Sequence, residues 1–314
     1  MQDSYSNKPS EFKDELDLQE LFNIVLEGKL IISSVTVFIS IIAVIYSLLL
    51  PNIYESKALV VPVNSSSGIS GALKSYSGLA GLAGISLPSG GEESNSVKAI
   101  DKITSLSFFE NNILPNIYLP DLMAVKAWEY KTNTIVFDES IFDTKSNSWI
   151  REYSYPKQQI PSAQESFEEF LTKHLSLSKD KKSGFITISI KHQSPYLAKQ
   201  WVELIVNEIN DFYRQKDKLE SEKAVTYLNQ QVSATTFSEI KEVLAQLMQE
   251  EIKKLTLIEA NEFYVFDYID PPAAMEKKSE PKRSLICILG ALLGGILGIF
   301  SVLIRHYASS KRTT

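Results

Sequence analysis

A glycine-rich stretch near the start of the chain resembles a phosphate-binding loop. Residues 77–91 read SGLAGLAGISLPSGG, with Gly78, Gly81 and Gly84 at three-residue intervals. Such loops can bring backbone N–H groups close to a phosphate. However, the Lys-Ser/Thr pair of a P-loop is missing, and no suitable helix is evident after the stretch. Nucleotide binding is therefore not predicted, and the apolar side chains of the stretch become candidates for contacts: Leu79, Leu82 and Ile85.

The other residue types that could do chemistry are sparse or unsuitably placed. The acidic pairs Glu168-Glu169 and Glu250-Glu251 fall in predicted helices, where adjacent side chains point apart. The single cysteine, Cys287, lies in an apolar run that disfavours the thiolate. Three histidines are scattered along the sequence: His174, His192 and His306. We therefore predict no catalytic residue, cofactor or metal site, and the net charge of −6 argues against nucleic-acid binding.

Two uncharged runs of 21 residues, 30–50 and 284–304, dominate the hydropathy pattern. A helix of that length covers about 30 Å, the thickness of the hydrocarbon core of a bilayer. The first run begins too late and is too long for a cleaved signal peptide. Two spans place both termini on one side of a membrane, and basic residues beside the runs favour the cytoplasm for that side. The predicted segments are 1–29 (cytoplasmic), 30–50 (transmembrane), 51–283 (one large domain on the opposite side of the membrane), 284–304 (transmembrane) and 305–314 (cytoplasmic tail).

The first half of the large domain mixes strands and helices. Residues 52–63 predict a buried strand, because β-branched and apolar residues dominate them. Residues 94–114 are typical of a helix in two pieces, and residues 121–131 predict a further short helix. Strands are expected around residues 134–137. Ser162 predicts a helix N-cap, with Glu165 as its capping-box partner.

Alternation of apolar and polar residues predicts the remaining strands. Ile186, Ile188 and Ile190 alternate with polar residues and follow a similar run, which indicates a β-hairpin. The stretch 261–273 reads as a strand that returns to the sheet begun by residues 54–63. The first and last strands of the domain are thus expected to pair.

A long helical region, 194–260, separates these strands. Ser194 as N-cap with proline next to it is a strong start signal. A straight helix of this length would span about 100 Å. Residues 233–236 could instead form a turn between two helices, and the pattern leaves the choice open. The apolar stripe favours packing against partner helices of other copies of the chain; the alternative is a helical pair packed on its own sheet.

Small and rigid residues mark the second apolar run and its approach. Its glycines form two overlapping G-x-x-x-G repeats that allow close helix packing: Gly290, Gly294, Gly295 and Gly298. Prolines and basic residues precede the run: Pro271, Pro272, Pro281, Lys282 and Arg283. The prolines form either a simple connector or a rigid coupling between the large domain and the membrane helices. The two basic residues either anchor the chain at the interface or bind lipid headgroups or diphosphate.

The order of these parts resembles the polysaccharide co-polymerases, the Wzz chain-length determinants of Gram-negative bacteria. The stretches that carry the likeness are DLQELFNIVLEGKLII (17–32), YESKALVVPV (54–63), SPYLAKQWVELIVNEIN (194–210) and, most strongly, IDPPAAMEKKSEPKRSLICILGALLGGILG (269–298). Residues 120–160 carry no recognisable likeness. The combination of parts is specific, although no single motif is.

The resemblance implies an α+β membrane protein of the inner membrane. Two transmembrane helices would flank a periplasmic α/β base, formed by 52–193 and 261–278, and 194–260 would form a long coiled-coil-like extension. The implied function is a scaffold, not an enzyme, that regulates the chain length of a lipid-linked polysaccharide such as lipopolysaccharide O-antigen. With no P-loop and a short tail after the second span, the chain is placed in the kinase-free class.

The resemblance also implies partners. A homo-oligomeric ring is expected, with an octamer as the family form, together with the O-antigen polymerase, the lipid-linked glycan and membrane lipids. The glycine repeats would pack on the first span or on the polymerase. Leu79, Leu82 and Ile85 would line the ring or contact the bilayer, polymerase or glycan lipid.

Two other classes compete with this interpretation. A periplasmic adaptor of an efflux or secretion system also has an anchor and a helical hairpin, but normally has paired lipoyl-like β segments and no C-terminal span. A two-span receptor would need a cytoplasmic signalling domain, for which residues 305–314 leave no room. The co-polymerase interpretation is therefore preferred.

Overall fold

A computed structural model describes residues 18–63 and 95–310 and divides the chain into two compact units. One unit contains the chain up to Pro51 and from Glu280 onward, and the other is Asn52–Ser279. The described α-helices are α1 (Leu18–Glu27), α2 (Lys29–Leu49), α3 (Asn95–Ile103), α4 (Leu106–Phe108), α5 (Leu119–Met123), α6 (Ala163–Glu169), α7 (Pro195–Ala234), α8 (Ser238–Ala260) and α9 (Arg283–Ser310). Two π-helical turns, Phe109–Ile113 and Phe170–His174, and a 3-10 turn, Leu114–Asn116, continue α4 and α6. The described strands are β1 (Tyr54–Pro62), β2 (Val125–Glu129), β3 (Thr134–Phe137), β4 (Phe142–Asp143), β5 (Ser148–Trp149), β6 (Leu175–Lys179), β7 (Ile186–His192) and β8 (Phe266–Asp270).

The first unit is built on the contact of α2 with α9. Both helices are long and apolar enough to cross a membrane. Large apolar side chains remain exposed along them, including Phe38 and Leu292 at 64% and 60% exposure. Such surfaces are costly in water and suited to lipid. The predicted helices at 30–50 and 284–304 are confirmed, and the second extends beyond its predicted bounds.

The second unit is organised around a four-stranded antiparallel sheet in the order β6-β7-β1-β8. The predicted hairpin is β6–β7, and the predicted pairing of the first and last strands is β1–β8. The last strand is shorter than expected, because only Phe266–Asp270 of the 261–273 stretch forms it. Two further two-stranded sheets pair β2 with β3 and β4 with β5.

The core forms where the first half of α7 covers one face of this sheet. Helix residues spaced three or four apart turn toward the sheet, as an amphipathic helix requires. The fully or almost fully buried side chains of α7 are Ala198, Trp201, Val202, Ile205, Val206 and Ile209. They join Ala58 and Val60 of β1 and the alternate isoleucines of β7 in one cluster.

The long helical region is a hairpin of two helices. Residues 235–237 leave the helical conformation, and α8 returns alongside α7. Lys218 Nζ lies 2.5 Å from Glu259 Oε1, which ties the two helices together near the base of the hairpin. The open choice between a turn and a kink is thereby decided for a turn.

The region around residues 121–131 differs from the expected short helix. The helix α5 ends at Met123, and Val125–Glu129 is a strand paired with β3. Asn133, at a positive φ of 53°, lies between the two strands in a conformation that asparagine tolerates better than most residues. Cross-strand pairing, which a local pattern does not contain, replaces the helix here. The strand predicted around residues 134–137 is confirmed as β3.

The start of α6 is capped as predicted, but its acidic residue has another partner. The Ser162 hydroxyl accepts a hydrogen bond from the Glu165 N–H, as an N-cap does. The Glu165 carboxylate instead binds the Arg151 guanidinium through both oxygens. This bidentate pair lowers the pKa of Glu165 and raises that of Arg151.

Candidate functional site

The glycines of α9 lie along the contact with α2. Gly290, Gly294 and Gly298 are buried, and Gly295 is half-buried. A Cβ atom built on Gly294 would lie 2.9 Å from the Cα of Thr36. One built on Gly298 would lie 2.9 Å from the Cα of Ile32, and one on Gly290 would lie 2.4 Å from the Cβ of Ala43.

These distances explain why glycine occurs at three positions spaced four residues apart. Only the absence of a side chain lets the two backbones approach so closely, and close approach maximises van der Waals contact. Gly295 differs from its neighbours, because its added Cβ would come no nearer than 4.0 Å to the Thr36 hydroxyl. A functional role for this packing stays a prediction.

Arg283 begins α9 and contacts the end of α2. Its Nε donates a hydrogen bond to the backbone carbonyl of Ser47, at 3.1 Å. A cation near the last carbonyls of a helix also suits the helix dipole. Lys282 is exposed, and Pro281 follows a cis peptide bond after Glu280.

The other two prolines belong to the segment after β8. Pro272 is buried, while Pro271 is exposed. The Ser56 hydroxyl of β1 donates to the carbonyl of Ala273, at 2.8 Å, and so holds this segment against the sheet. The prolines therefore lie in a chain segment attached to the sheet, and their role in coupling stays a prediction.

The helical hairpin exposes several large apolar side chains. We call this set the hairpin stripe. Its members lie on both helices and at the turn, and each is at least 44% exposed: Leu219, Tyr227, Phe237, Ile240, Val243, Leu247, Ile252 and Leu257. Several large apolar side chains exposed on one hairpin make it a candidate for protein–protein contact.

A buried asparagine attaches the hairpin to the last strand. The Asn210 side-chain oxygen accepts hydrogen bonds from the N–H groups of Val265 and Phe266, at 2.7 and 2.9 Å, and from Tyr264 at 3.3 Å. Its amide nitrogen donates to the Phe266 carbonyl, at 3.0 Å. One turn further along α7, Arg214 donates to backbone carbonyls at the end of α8. The segment between α8 and β8 is thus held by α7.

Two of the three histidines meet in the core of the second unit, although they are 18 positions apart in sequence. The rings of His174 and His192 stack with centroids 5.6 Å apart, and both contact the Trp201 ring. Burial lowers the pKa of each to about 4. The sequence analysis did not predict this pair. The only signal for it was the position of His192 two residues before the Ser194 cap, at the start of a buried helix.

The histidine pair does not form a metal centre. Among the described residues, no group of three or more histidine, cysteine, aspartate or glutamate side chains is placed to hold a metal ion. His192 uses both ring nitrogens for hydrogen bonds to the backbone, with Asp121 and Ser194. Cys287 lies half-buried in α9 as a free thiol.

The loop candidates Leu79, Leu82 and Ile85 lie outside the described residues. Trp201 is 2% exposed and belongs to the core of the second unit.

Comparison with known proteins identifies a family in the N-terminal part of the chain. Residues 14–111 match the family model of the Wzz chain length determinant proteins. This match includes α1, α2 and β1, and it confirms the resemblance inferred from sequence. No curated protein sequence matches the chain.

Two solved co-polymerase structures align with the chain. A full-length bacterial polysaccharide co-polymerase aligns over 94% of this chain and 99% of its own, at 15% identity and a TM-score of 0.40. A fragment of WzzB, a polysaccharide co-polymerase from Salmonella Typhimurium, aligns over 73% of this chain and 100% of its own, at 13% identity and a TM-score of 0.32.

Proposed function

We propose that this chain, with its Wzz chain-length-determinant segment, is an inner-membrane polysaccharide co-polymerase that regulates the length of a lipid-linked O-antigen. The observation that carries the proposal is the family match over residues 14–111. In this proposal α2 and α9 cross the membrane, and the second unit lies in the periplasm.

The proposed mechanism is assembly, not catalysis. The hairpin stripe supports a homo-oligomer, because burying several half-exposed apolar side chains between copies would be favourable at roughly 25 cal/mol per Å². Closed rings are a common outcome when one surface binds a different surface of an identical subunit. An octamer is the form that we propose from the family resemblance.

The fold suggests how an assembled hairpin could influence a polymerase in the membrane. Asn210 and Arg214 attach α7 to the segment that leads into β8. From β8 the chain continues through the prolines to α9. The glycine repeat of α9 would then face α2 or the polymerase. The basic residues Lys282 and Arg283 would face the lipid headgroups. The number of repeats added would depend on how the ring holds the polymerase and the growing glycan.

Deletion of the gene in its natural host tests this function. The expected result is that surface polysaccharide is still made but loses its preferred length, and that the intact gene restores it. Gel electrophoresis of lipopolysaccharide and of the other surface glycans provides the measurement. An unchanged O-antigen ladder with an altered ladder of another glycan would contradict the O-antigen assignment alone. Unchanged ladders for every glycan would contradict the co-polymerase function.

A further inference from the structure

Three aromatic rings meet beside the start of β1, those of Tyr54, Trp128 and Tyr196, and Tyr130 follows Trp128 by two positions. We call these four residues the aromatic rim. Trp128 lies at the centre, with its ring 5.4 Å from the Tyr54 ring and 6.3 Å from the Tyr196 ring. Its indole Nε1 donates to the Asn133 side chain, at 2.9 Å, which fixes the ring in the β2–β3 hairpin. Three separate elements, β1, β2 and α7, thus bring aromatic rings together.

The aromatic rim remains open to its surroundings. Tyr130 is 69% exposed and Tyr196 is 54% exposed. A cation accompanies the rings, because Lys131 Nζ lies 6.0 Å from the centre of the Tyr130 ring. Amphipathic aromatic rings beside lysine are the composition that proteins place at the boundary of a bilayer.

Tyr54 of the rim lies beside the two chain ends of the second unit. The first and last residues of this unit are adjacent, since the Ser279 N–H donates to the Ile53 carbonyl at 2.8 Å and Lys278 donates to Asn52. Tyr54 follows the last residue of α2 by only five positions. Even a fully extended chain of that length reaches about 18 Å at ~3.6 Å per residue.

We propose that the aromatic rim rests in the headgroup layer of the bilayer that α2 and α9 cross, with Lys131 toward anionic headgroups. This inference depends on the membrane-spanning role given to α2 and α9 above. The attraction between a lysine and an anionic surface weakens as the salt concentration rises.

The bilayer fits these observations better than a second copy of the chain. The rim is tethered within a few residues of an apolar helix, so the membrane surface is always within reach of it. The apolar residues that suit contact between copies are those of the hairpin stripe, and most of them lie on the part of α7 beyond the sheet or on α8.

Depth-dependent fluorescence quenching tests the proposal on the full chain. Single cysteines are introduced by Tyr130→Cys or Tyr196→Cys in a Cys287→Ala background and labelled with bimane. The protein is reconstituted into phosphatidylethanolamine and phosphatidylglycerol vesicles that contain a headgroup-nitroxide lipid. Tyr227→Cys is the matched control, because Tyr227 is 60% exposed and lies on the same helix as Tyr196, about 46 Å further along at ~1.5 Å per residue.

We expect the nitroxide to quench bimane at positions 130 and 196 several-fold more strongly than at position 227. Lys131→Glu should reduce the quenching at position 196 in these anionic vesicles. Equal quenching at all three positions would overturn the proposal. The proposal would also be overturned if neither the nitroxide nor an aqueous quencher reached the labels at the rim. Such protection would mean that a second copy of the chain covers them.

The native Cys287 separates failure of this inference from failure of its premise. Label on Cys287, in the unmodified chain, should be quenched by nitroxides on the acyl chains if α9 spans the bilayer. Quenching at Cys287 without quenching at the rim rejects only the proposed contact of the aromatic rim with the headgroup layer. If neither position is quenched, the membrane-spanning arrangement on which the proposed function depends is rejected.

Discussion

Acidification should destabilise the second unit through its buried histidines. His192 is 2% exposed, and its ring stacks on His174 and against Trp201 with centroids 5.6 and 5.0 Å apart. Burial lowers the pKa of both histidines from 6.5 to about 4, because a charged imidazole would lose its hydration. The charge of Lys173 also disfavours protonation of His174.

The hydrogen bonds of His192 allow one neutral tautomer. Its Nδ1 accepts the Ser194 N–H at 2.9 Å, so Nε2 carries the hydrogen and donates to the Asp121 carbonyl at 3.0 Å. A proton on Nδ1 removes the acceptor of the Ser194 N–H. It also places a positive charge beside the N-terminus of α7, where the helix dipole disfavours it.

The sign and the size of the effect follow from the pKa values. Because the folded-state pKa lies below the unfolded one, the unfolded state binds more protons between about pH 6.5 and 4. Stability is therefore complete above pH 6.5 and falls as the pH drops toward 4. A shift from 6.5 to about 4 corresponds to about 2 kcal/mol per histidine at pH 5 and about 3 kcal/mol once the pH is well below 4.

One nearby group opposes this loss. Burial raises the pKa of the Asp121 carboxyl to about 6, so its protonation on acidification favours the folded state. Asp121 is only half-buried, and solvent screening reduces its contribution. The total pH dependence thus contains both effects, and a comparison of variants isolates the contribution of His192.

The measurement is denaturant unfolding of the full chain in detergent, followed by tryptophan fluorescence from pH 7.5 to pH 5. His192→Asn should lose part of the acid sensitivity, because an asparagine oxygen can replace Nδ1 as the acceptor but does not titrate. The loss of stability between these pH values should shrink by about 2 kcal/mol. A wild-type slope in His192→Asn would refute the reasoning.

Three further predictions concern packing and assembly. Gly294→Leu should destabilise the α2–α9 pair and lower the thermal stability of the first unit in detergent. Gly295→Leu should lower this stability much less, because a Cβ atom at that position would have open space around it. Equal losses of stability would contradict the close-approach argument. Asn210→Leu leaves buried backbone N–H groups without their acceptor and should lower the free energy of chemical unfolding by about 3 kcal/mol. Asn207 is exposed on the same helix, and Asn207→Leu should change this free energy little. Val243→Asp, in the hairpin stripe, should reduce the mass of detergent-solubilised oligomers in light scattering without changing the circular dichroism; an unchanged mass would remove the stripe from the assembly surface.

Local patterns in the sequence predicted much of the fold. The uncharged runs indicated α2 and α9, and alternation indicated β6, β7 and β8. The Ser194 cap placed the start of α7 correctly, because a cap needs only side chains and N–H groups within three residues of each other. The glycine repeat indicated a close helix contact, although the sequence left its partner open.

Tertiary structure decided what distant residues do together. Residues 125–129 are a strand and not a helix because β3 pairs with them, and residues 235–237 are a turn because α8 packs back on α7. The meeting of His174 with His192, and of Asn210 with β8, depends on which faces of the sheet and helix are buried together. Hydrophobic periodicity determines which face of an element is buried, since it depends on neighbours within one or two turns. It does not determine which element covers that face, because this choice depends on packing across the whole domain.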